Sequence, residues 1–544
     1  MIRLFLSVFL FVIGIGVLSV YTQTYPGPPA FPADIDAHAL GANGTSSDST
    51  IIQNAINTCS AAGGGRVILP AIGKAYLINT GLILSDSTRS GCSLIGNSGM
   101  YWPGPYNNVE ADWTQKGTWL HCTDVVNPCI TVGGAGNDIE NINFWYTQTT
   151  PPSGTGGVPA GGPCTSNPCS PLTFSWTPTT YPYTIAVRGD TVQFNSGTFN
   201  HIRNINIVNA THCLDFVGPT NGQAIFNQYV EHAYMGCFTV GTNMSRVDNT
   251  PIFHDVHYHV LWYTFSSDVL GWMQGDGTHA CNRTDWVLGY VAAFHANAIE
   301  FFEPCLAVFA YDQTVTNGVG TLTFAVQSAN WTDITFSQVC EAIVLQNATT
   351  HFDANLANVV LSVDPSTSTA TQCGGKTPIA FGLNSDNVNV KIANLDVLDA
   401  QTIVSLGGGS PGTIPPYFSA DINEVVTYSQ YTNNNAAFSA LAGACLDIKG
   451  LERVHSANGS AGPLINGAGF TSPSAGCVSS TMLTKPLTKY SAAGTPLPTC
   501  NAGLDGVSAI VSDSTAPTYR NAYTSGGAVT ARVLCVNGTG WVND

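Results

Sequence analysis

The sequence predicts an all-β fold, a parallel β-helix solenoid, and three observations predict it. First, short β-type runs recur from about residue 90 to 470, separated by Gly, Asn and Ser, for example Ile202 to Val208, Ile334 to Val339 and Val388 to Leu395. Their β-branched and aromatic content favours strands, and none is long enough for a globular-domain helix. Second, His212 to Gly218 overlays Gly236 to Gly241 when Cys213 is set on Cys237, a shift of 24 residues (237 − 213). An interval of about 22 to 26 residues suits one three-stranded turn of a β-helix. Third, the chain has 544 residues with only 9% charged side chains, 44% apolar ones, 56 Gly and 30 Pro. That composition excludes a disordered chain and suits repeats that bury their apolar faces against neighbours.

The elements follow in order. Residues 1–20 begin Met1-Ile2-Arg3 and continue as an apolar run from Leu4 to Val20, the pattern of a secretory signal peptide or a retained membrane anchor. Residues 21–44 include Tyr25-Pro26-Gly27-Pro28-Pro29 and form a linker. The β-helix occupies 45–470. It opens with a capping helix for which Asp48 is the N-cap, with Ile52, Ala55, Ile56 and Cys59 on one face and Gly63-Gly64-Gly65 as its end. Asn-rich positions such as Asn204, Asn206 and Asn209 are expected to stack their amides at turns. Residues 151–171, rich in Pro, Gly and Ser, form a lateral loop. Residues 311–324 form a hairpin with Asn317-Gly318 at its tip. Residues 471–544 make a small C-terminal β element, with strands near Val507 to Val511, Ala528 to Leu534 and Trp541-Val542.

Seventeen basic residues against 34 acidic ones give a formal net charge of −17, and no Lys/Arg run tracks a phosphate backbone, so nucleic acid is excluded as a partner. A neutral polysaccharide, or an anionic one held through a cation, fits this charge. Sixteen cysteines agree with an oxidising compartment, and Cys122 and Cys129, or Cys164 and Cys169, are near enough to close small loops. They are scattered singly without a CxxC pair, which argues against zinc. Eight N-x-[ST] sequons begin at Asn43, Asn209, Asn243, Asn282, Asn330, Asn347, Asn458 and Asn537; they accept glycans only in a host with that machinery.

The stretch Asp48-Ser49-Thr50-Ile51-Ile52-Gln53-Asn54-Ala55-Ile56, then Ala62 to Pro70, then Gly73 to Ile78, resembles the opening of pectate-lyase-superfamily β-helix proteins, and Gly91-Cys92-Ser93-Leu94-Ile95-Gly96 resembles their next turn. The resemblance covers about fifty residues. It implies a right-handed parallel β-helix and a glycan as partner, since that superfamily holds secreted polysaccharide lyases and hydrolases as well as trimeric tailspikes of bacterial viruses. It therefore implies a secreted, surface-displayed or virion location, and it admits a homotrimer and a bound calcium ion, with no other cofactor. Residues 511–541 resemble terminal pieces of phage-type spikes. The Asn-x-Asp, Asp-Asp, Gly-His-Gly and Arg-x-Lys set of the polygalacturonase-like hydrolases is absent, as are the Arg-x-x-Arg and clustered-aspartate signatures of classical pectate lyases.

Residues one turn apart in a β-helix lie about 5 Å apart across the parallel sheet. A register through Val208, Val230 and Val256 puts Asn209, Glu231 and His257 in one column, with Asp255 and His259 beside it and His232 and Tyr258 in the next. There a carboxylic acid can protonate a glycosidic oxygen while a second carboxylate activates water or attacks carbon; alternatively His257 abstracts a proton from a uronic acid. His254, His257 and His259 alternate, so they share a face, either as a solvated ladder or as metal ligands; no metal site is expected. Glu300 and Glu303 bracket Phe301-Phe302, and Asp276 lies in a Gly- and Trp-rich stretch with Trp272. The candidate catalytic set is thus Glu231, Asp255, His257, Asp276, Glu300 and Glu303. Trp262, Trp272, Trp286 and Tyr258 are candidate sugar-stacking residues if exposed, and corner anchors if buried. Three readings stand side by side: a polysaccharide-cleaving enzyme, a non-catalytic spike or adhesin that recognises glycans, and a purely structural exoprotein.

Overall fold

The computed structural model describes residues 34–86, 91–97, 116–147, 179–189, 199–218, 227–247, 251–258, 284–302, 304, 306–317, 320–339, 341–363, 379–399, 402–407, 416–427, 438–440, 444–449, 454–456, 465–466, 489–490, 497, 499–500, 508–515, 522, 524–525, 529–536 and 539–543. The leader, the 151–171 loop, His259, Trp262, Trp272, Asp276 and Glu303 lie outside them.

The chain winds as a right-handed parallel β-helix. Each coil contributes to three parallel sheets, in which strands pair with their equivalents on the neighbouring coils. Apolar side chains stack in register inside. In the first sheet one buried column runs Val67, Leu94, Ile139, Ile202, Val230, Phe253, and continues through Trp331 and Leu356. In the second sheet Tyr258, Phe301 and Phe336 stack face to face, with centroids 5.6 and 5.1 Å apart. Each such buried side chain contributes roughly 1.5–3 kcal/mol by leaving water.

Between the first and second sheets the chain turns through one residue of left-handed backbone on coil after coil: Asn141, Asn204, His232, Asp255, Ala298, Asp333, Asn358 and Asn394, with φ between 49° and 60°. Asn and Asp tolerate this conformation better than other side-chain-bearing residues. Their side chains ladder along the corner: Asn204 Nδ2 donates to Asn141 Oδ1 at 3.0 Å, Asn358 Nδ2 to Asp333 Oδ1 at 2.8 Å, and Asn394 Nδ2 to Asn358 Oδ1 at 3.0 Å. The stacking expected of Asn204 is present. The corner corrects another expectation: Ile139 to Trp145 and Ile202 to Val208 are not continuous strands but pairs of strands, Asp138–Glu140 with Asn143–Trp145, and Asn200–Arg203 leading into Asn206–Val217.

The helix Ser49–Ala61 buries Ile52, Ala55, Ile56 and Cys59, the expected face, and a Cys59–Cys92 disulfide ties it to the next coil. Asp48 occupies the N-cap position, but its carboxylate makes no bond to the helix. Fully buried, it accepts instead from the backbone N–H of Asn43 (2.8 Å), Gly44 (3.0 Å) and Leu77 (2.8 Å), and so joins the approach to the helix to the first coil. Beyond the helix, Gly64 (φ +116°) passes so near Gly91 that a Cβ would stand 2.8 Å from its carbonyl oxygen. Further bridges join Cys122 to Cys129, Cys213 to Cys237 and Cys500 to Cys535.

Strands Gln313–Asn317 and Gly320–Phe324 form the expected antiparallel hairpin. The C-terminal element is a separate sheet of Lys489–Tyr490, Ser508–Ser514, Val529–Val536 and Gly540–Asn543. Among the described residues no helix is long and apolar enough to cross a membrane.

Candidate functional site

The left-handed corner decides which side chains reach the outside. Just before it, Glu140, Arg203, Glu231 and His254 stand level on successive coils, and two positions earlier Asp138, His201 and Tyr229 form a parallel row. After it, Tyr234, His257 and Glu300 are level. The two rows flank the corner residues His232 and Asp255.

These groups connect without a gap. Ser93 Oγ donates to Asp138 Oδ2 at 3.0 Å, and Asp138 Oδ1 meets His201 Nδ1 at 3.0 Å. Arg203 approaches His201 Nδ1 at 3.4 Å, and its guanidinium lies between Glu140 and Glu231, 3.6 Å from each, with the Tyr229 ring 5.8 Å away. Tyr229 donates its hydroxyl to Glu231 Oε1 at 3.2 Å. The imidazole of His232 lies between Glu231 (3.9 Å) and Asp255 (2.6 Å). His257 faces Asp255 through Nε2 (3.1 Å) and Glu300 through Nδ1 (2.9 Å), and Tyr234 stacks on its ring.

Both nitrogens of His257 point at carboxylates, so both carry protons in this arrangement. The bond to Glu300 raises the His257 pKa above the usual 6.5; burial opposes this, and Asp255 adds to the rise. Burial alone would push the Asp255 carboxyl up, yet hydrogen bonds from His257 and His232 outweigh it and hold the pKa below 3.8. With both nitrogens protonated, the His257 imidazole is a cation between two acidic side chains, Asp255 and Glu300.

Of the expected catalytic residues, Glu231, Asp255, His257 and Glu300 come together here, though not in the expected register. Glu231 is level with His254, not with His257, and Val230 with Phe253, not with Val256. His254 and His257 are three residues apart and would face opposite ways on a flat strand; the bend at Asp255 leaves both partly exposed, one on each side of it. Tyr258 and Trp286 are not at the surface. Both are fully buried, and Trp286 Nε1 donates to the Tyr258 hydroxyl at 2.6 Å, which Thr242 also contacts. Neither can stack on a sugar, which corrects that assignment.

A second cluster escaped the sequence reading. On the third sheet, between buried Leu214 and Phe216, Asp215 is 5% exposed. Its Oδ2 takes Arg188 Nη2 at 2.6 Å and its Oδ1 takes Asn243 Nδ2 at 2.6 Å. Ser245 continues the chain by donating to Asn243 Oδ1 (3.1 Å) and bonding the Tyr311 hydroxyl (2.8 Å). The Tyr311 ring covers Gly289, where a Cβ would stand 2.4 Å from it. Burial pushes the Asp215 carboxyl up, against the pull of Arg188 and Asn243. Burial also raises the Tyr183 phenol, with the Asp215 charge adding to it. The available signal was one acid alternating with apolar residues in Leu214-Asp215-Phe216. Among the described residues no three His, Cys, Asp or Glu side chains are grouped to hold a metal.

No family model and no curated protein matches the chain. Solved structures similar to it include the Agl-KA catalytic domain (10% identity, 80% of this chain and 68% of that one, TM-score 0.43). The DFA-IIIase of Arthrobacter chlorophenolicus A6 without its lid is another (10% identity, 80% and 92%, TM-score 0.38). A third is tailspike protein 3 of bacteriophage CBA120 (11% identity, 94% and 68%, TM-score 0.36). At these scores the likeness carries nothing about what this chain binds or does.

Proposed function

We propose that this chain is a polysaccharide-binding protein, secreted or displayed on a cell or virion surface, and that the polymer lies along the flank from Asp138 to Glu300. The observation that supports it is the connected line of half-exposed Asp138, His201, Arg203, Tyr229, Glu231, His232, Asp255, His257 and Glu300 in a chain with only 9% charged residues. Carboxylates, imidazoles and a phenol repeating at the strand spacing offer hydrogen bonds to successive sugar hydroxyls on a rigid scaffold. Four acidic side chains in this line against one arginine favour a neutral polymer, or an anionic one bridged by calcium. The proposal extends to attachment or export through residues 1–20 and to a homotrimer, which sedimentation tests.

Cleavage is a second reading. In it Glu231 donates the proton and ionised Asp255 stabilises positive charge on the sugar or activates water. In this reading His257, whose two ring nitrogens face Asp255 and Glu300, orients those carboxylates rather than abstracting a proton. Incubating the full chain with a panel of surface polysaccharides separates the readings by binding, reducing-end release and unsaturated-uronate absorbance. Retained binding by Glu231→Gln, with no turnover by the parent, leaves the adhesin reading. No binding across the panel removes the proposal.

A further inference from the structure

We infer that Asn43 and Asn347 are N-glycan acceptors in the exported protein, whereas the sequons at Asn209 and Asn243 stay unmodified. The sequence motif is the same at all four; the structure separates them. Asn43 and Asn347 are exposed, outside the three sheets, Asn43 before the capping helix and Asn347 just after the third-sheet strand Glu341–Leu345. In both, the threonine two residues on folds back. Thr349 donates its backbone N–H (2.9 Å) and hydroxyl (2.8 Å) to Asn347 Oδ1, and Thr45 donates the same two groups to Asn43 Oδ1. With Oδ1 held this way, Nδ2 of each exposed asparagine has no hydrogen-bond partner among the described residues.

The other two sequons are committed to the fold. Asn209 is 3% exposed, leaving no room for a sugar. Asn243 gives its Nδ2 to Asp215 Oδ1 at 2.6 Å, and a glycan on that nitrogen would break the Arg188–Asp215–Asn243 chain. Asn330 is exposed on a strand and donates to Ser328 O at 3.4 Å; the inference is confined to the two turn positions.

The reaction is a group transfer from a lipid-linked oligosaccharyl pyrophosphate supplied by the host. Asn Nδ2 forms a bond to the anomeric carbon, the bond from that carbon to pyrophosphate oxygen breaks, the lipid pyrophosphate leaves, and one amide proton is lost to base. The disulfides agree with the oxidising compartment in which this transfer occurs. The two acceptors also lie away from the corner carrying Glu231, Asp255 and His257, so their glycans leave that flank open.

The test is secretion of the full chain from a eukaryotic host, followed by glycopeptide mapping with enzymatic release of N-glycans. Modified Asn43 and Asn347 with unmodified Asn209 and Asn243 is the expected result, and Thr45→Ala and Thr349→Ala should each remove one glycan. Bare Asn43 and Asn347 in the folded, secreted protein overturn the inference, as does a glycan at Asn209 or Asn243. Because the readout is mass at each site, it is independent of polysaccharide binding, and either proposal can fail alone.

Discussion

Asp255 and His257 are two residues apart, one at the corner and the other on the second sheet just after it, and Asp255 Oδ1 accepts from His257 Nε2 at 3.1 Å. Asp255 is itself the bend, with φ 56°. One residue thus serves as a rung of the corner ladder and as an acceptor for imidazoles on both sides, since His232 of the preceding coil bonds its other oxygen. The flank is consequently a set of clamps between coils as well as a polar face, and the two roles separate by experiment.

The clamp has a pH signature. His257 has a raised pKa, so its contribution to stability is fully present below the unfolded value of 6.5 and disappears as pH rises through the folded value. Asp255 has a lowered pKa, so its contribution is present above 3.8 and disappears as pH falls through its folded value. The stability difference between the parent and His257→Gln should therefore be greatest between pH 3.8 and 6.5 and shrink in alkali. These side chains are about a third exposed, which limits the effect to about 1 kcal/mol. Denaturant titrations at pH 5.5 and 8.5 measure it, and a difference independent of pH would remove the clamp.

Tyr258 and Trp286 make the opposite case, with stability at stake and no role in binding. Tyr258→Phe leaves the buried Trp286 N–H without its acceptor and should cost about 1–3 kcal/mol. Trp286→Ala should cost about 3–5 kcal/mol. Glycan affinity of whatever remains folded should be unchanged, and a loss of affinity by Tyr258→Phe without loss of stability would contradict the burial.

Asp48 holds the start of the solenoid. Asp48→Ala strands the N–H groups of Asn43, Gly44 and Leu77, at about 1–3 kcal/mol for each that water cannot reach. Hydrogen exchange should show residues 42–62 and 76–78 opening first, with coils beyond residue 200 little affected, since each coil contacts chiefly its neighbours.

How much of this the sequence disclosed follows from what each signal encodes. The capping helix was legible because Ile52, Ala55, Ile56 and Cys59 repeat at helical spacing and a glycine run ends it. The solenoid was legible from its short β-type runs, and Glu231, Asp255, His257 and Glu300 stood out as titratable groups in a charge-poor chain. The register was not. Coil length runs from 22 residues (306 − 284) to 63 (201 − 138), because insertions fall at corners, and no period predicts them. A left-handed residue also adds a bend without interrupting the apolar pattern, so the overlay of Cys213 on Cys237 found two cysteines that do bond, while the strands around them pair 28 residues apart (242 − 214). Burial of Tyr258 and Trp286 depended on the same register. Asp215 was missed because it is a single acid, and its partners come from coils on either side.

The corner ladder makes the last prediction, at its one alanine. Ala298 lies between Asp255 and Asp333 in the series and adopts φ 55° with no side-chain polar group to offset the strain. A left-handed conformation costs an ordinary residue roughly 1–2 kcal/mol, and asparagine less, because its amide bonds locally. Ala298→Asn should therefore stabilise the solenoid by about 1 kcal/mol, and Ala298→Gly by a similar amount through backbone freedom alone. The two differ in what else they change. Asparagine at this position can donate to Asp333, as Asn358 does from the other side, and so compete with the Asn297 amide that reaches Asp333 Oδ2 at 3.1 Å. If the ladder stabilises through side-chain stacking, Ala298→Asn exceeds Ala298→Gly in denaturant midpoint. If backbone strain is the whole effect, the two variants coincide. Ala298→Val, β-branched at positive φ, should destabilise in either case, and its neutrality would show that the bend carries no strain.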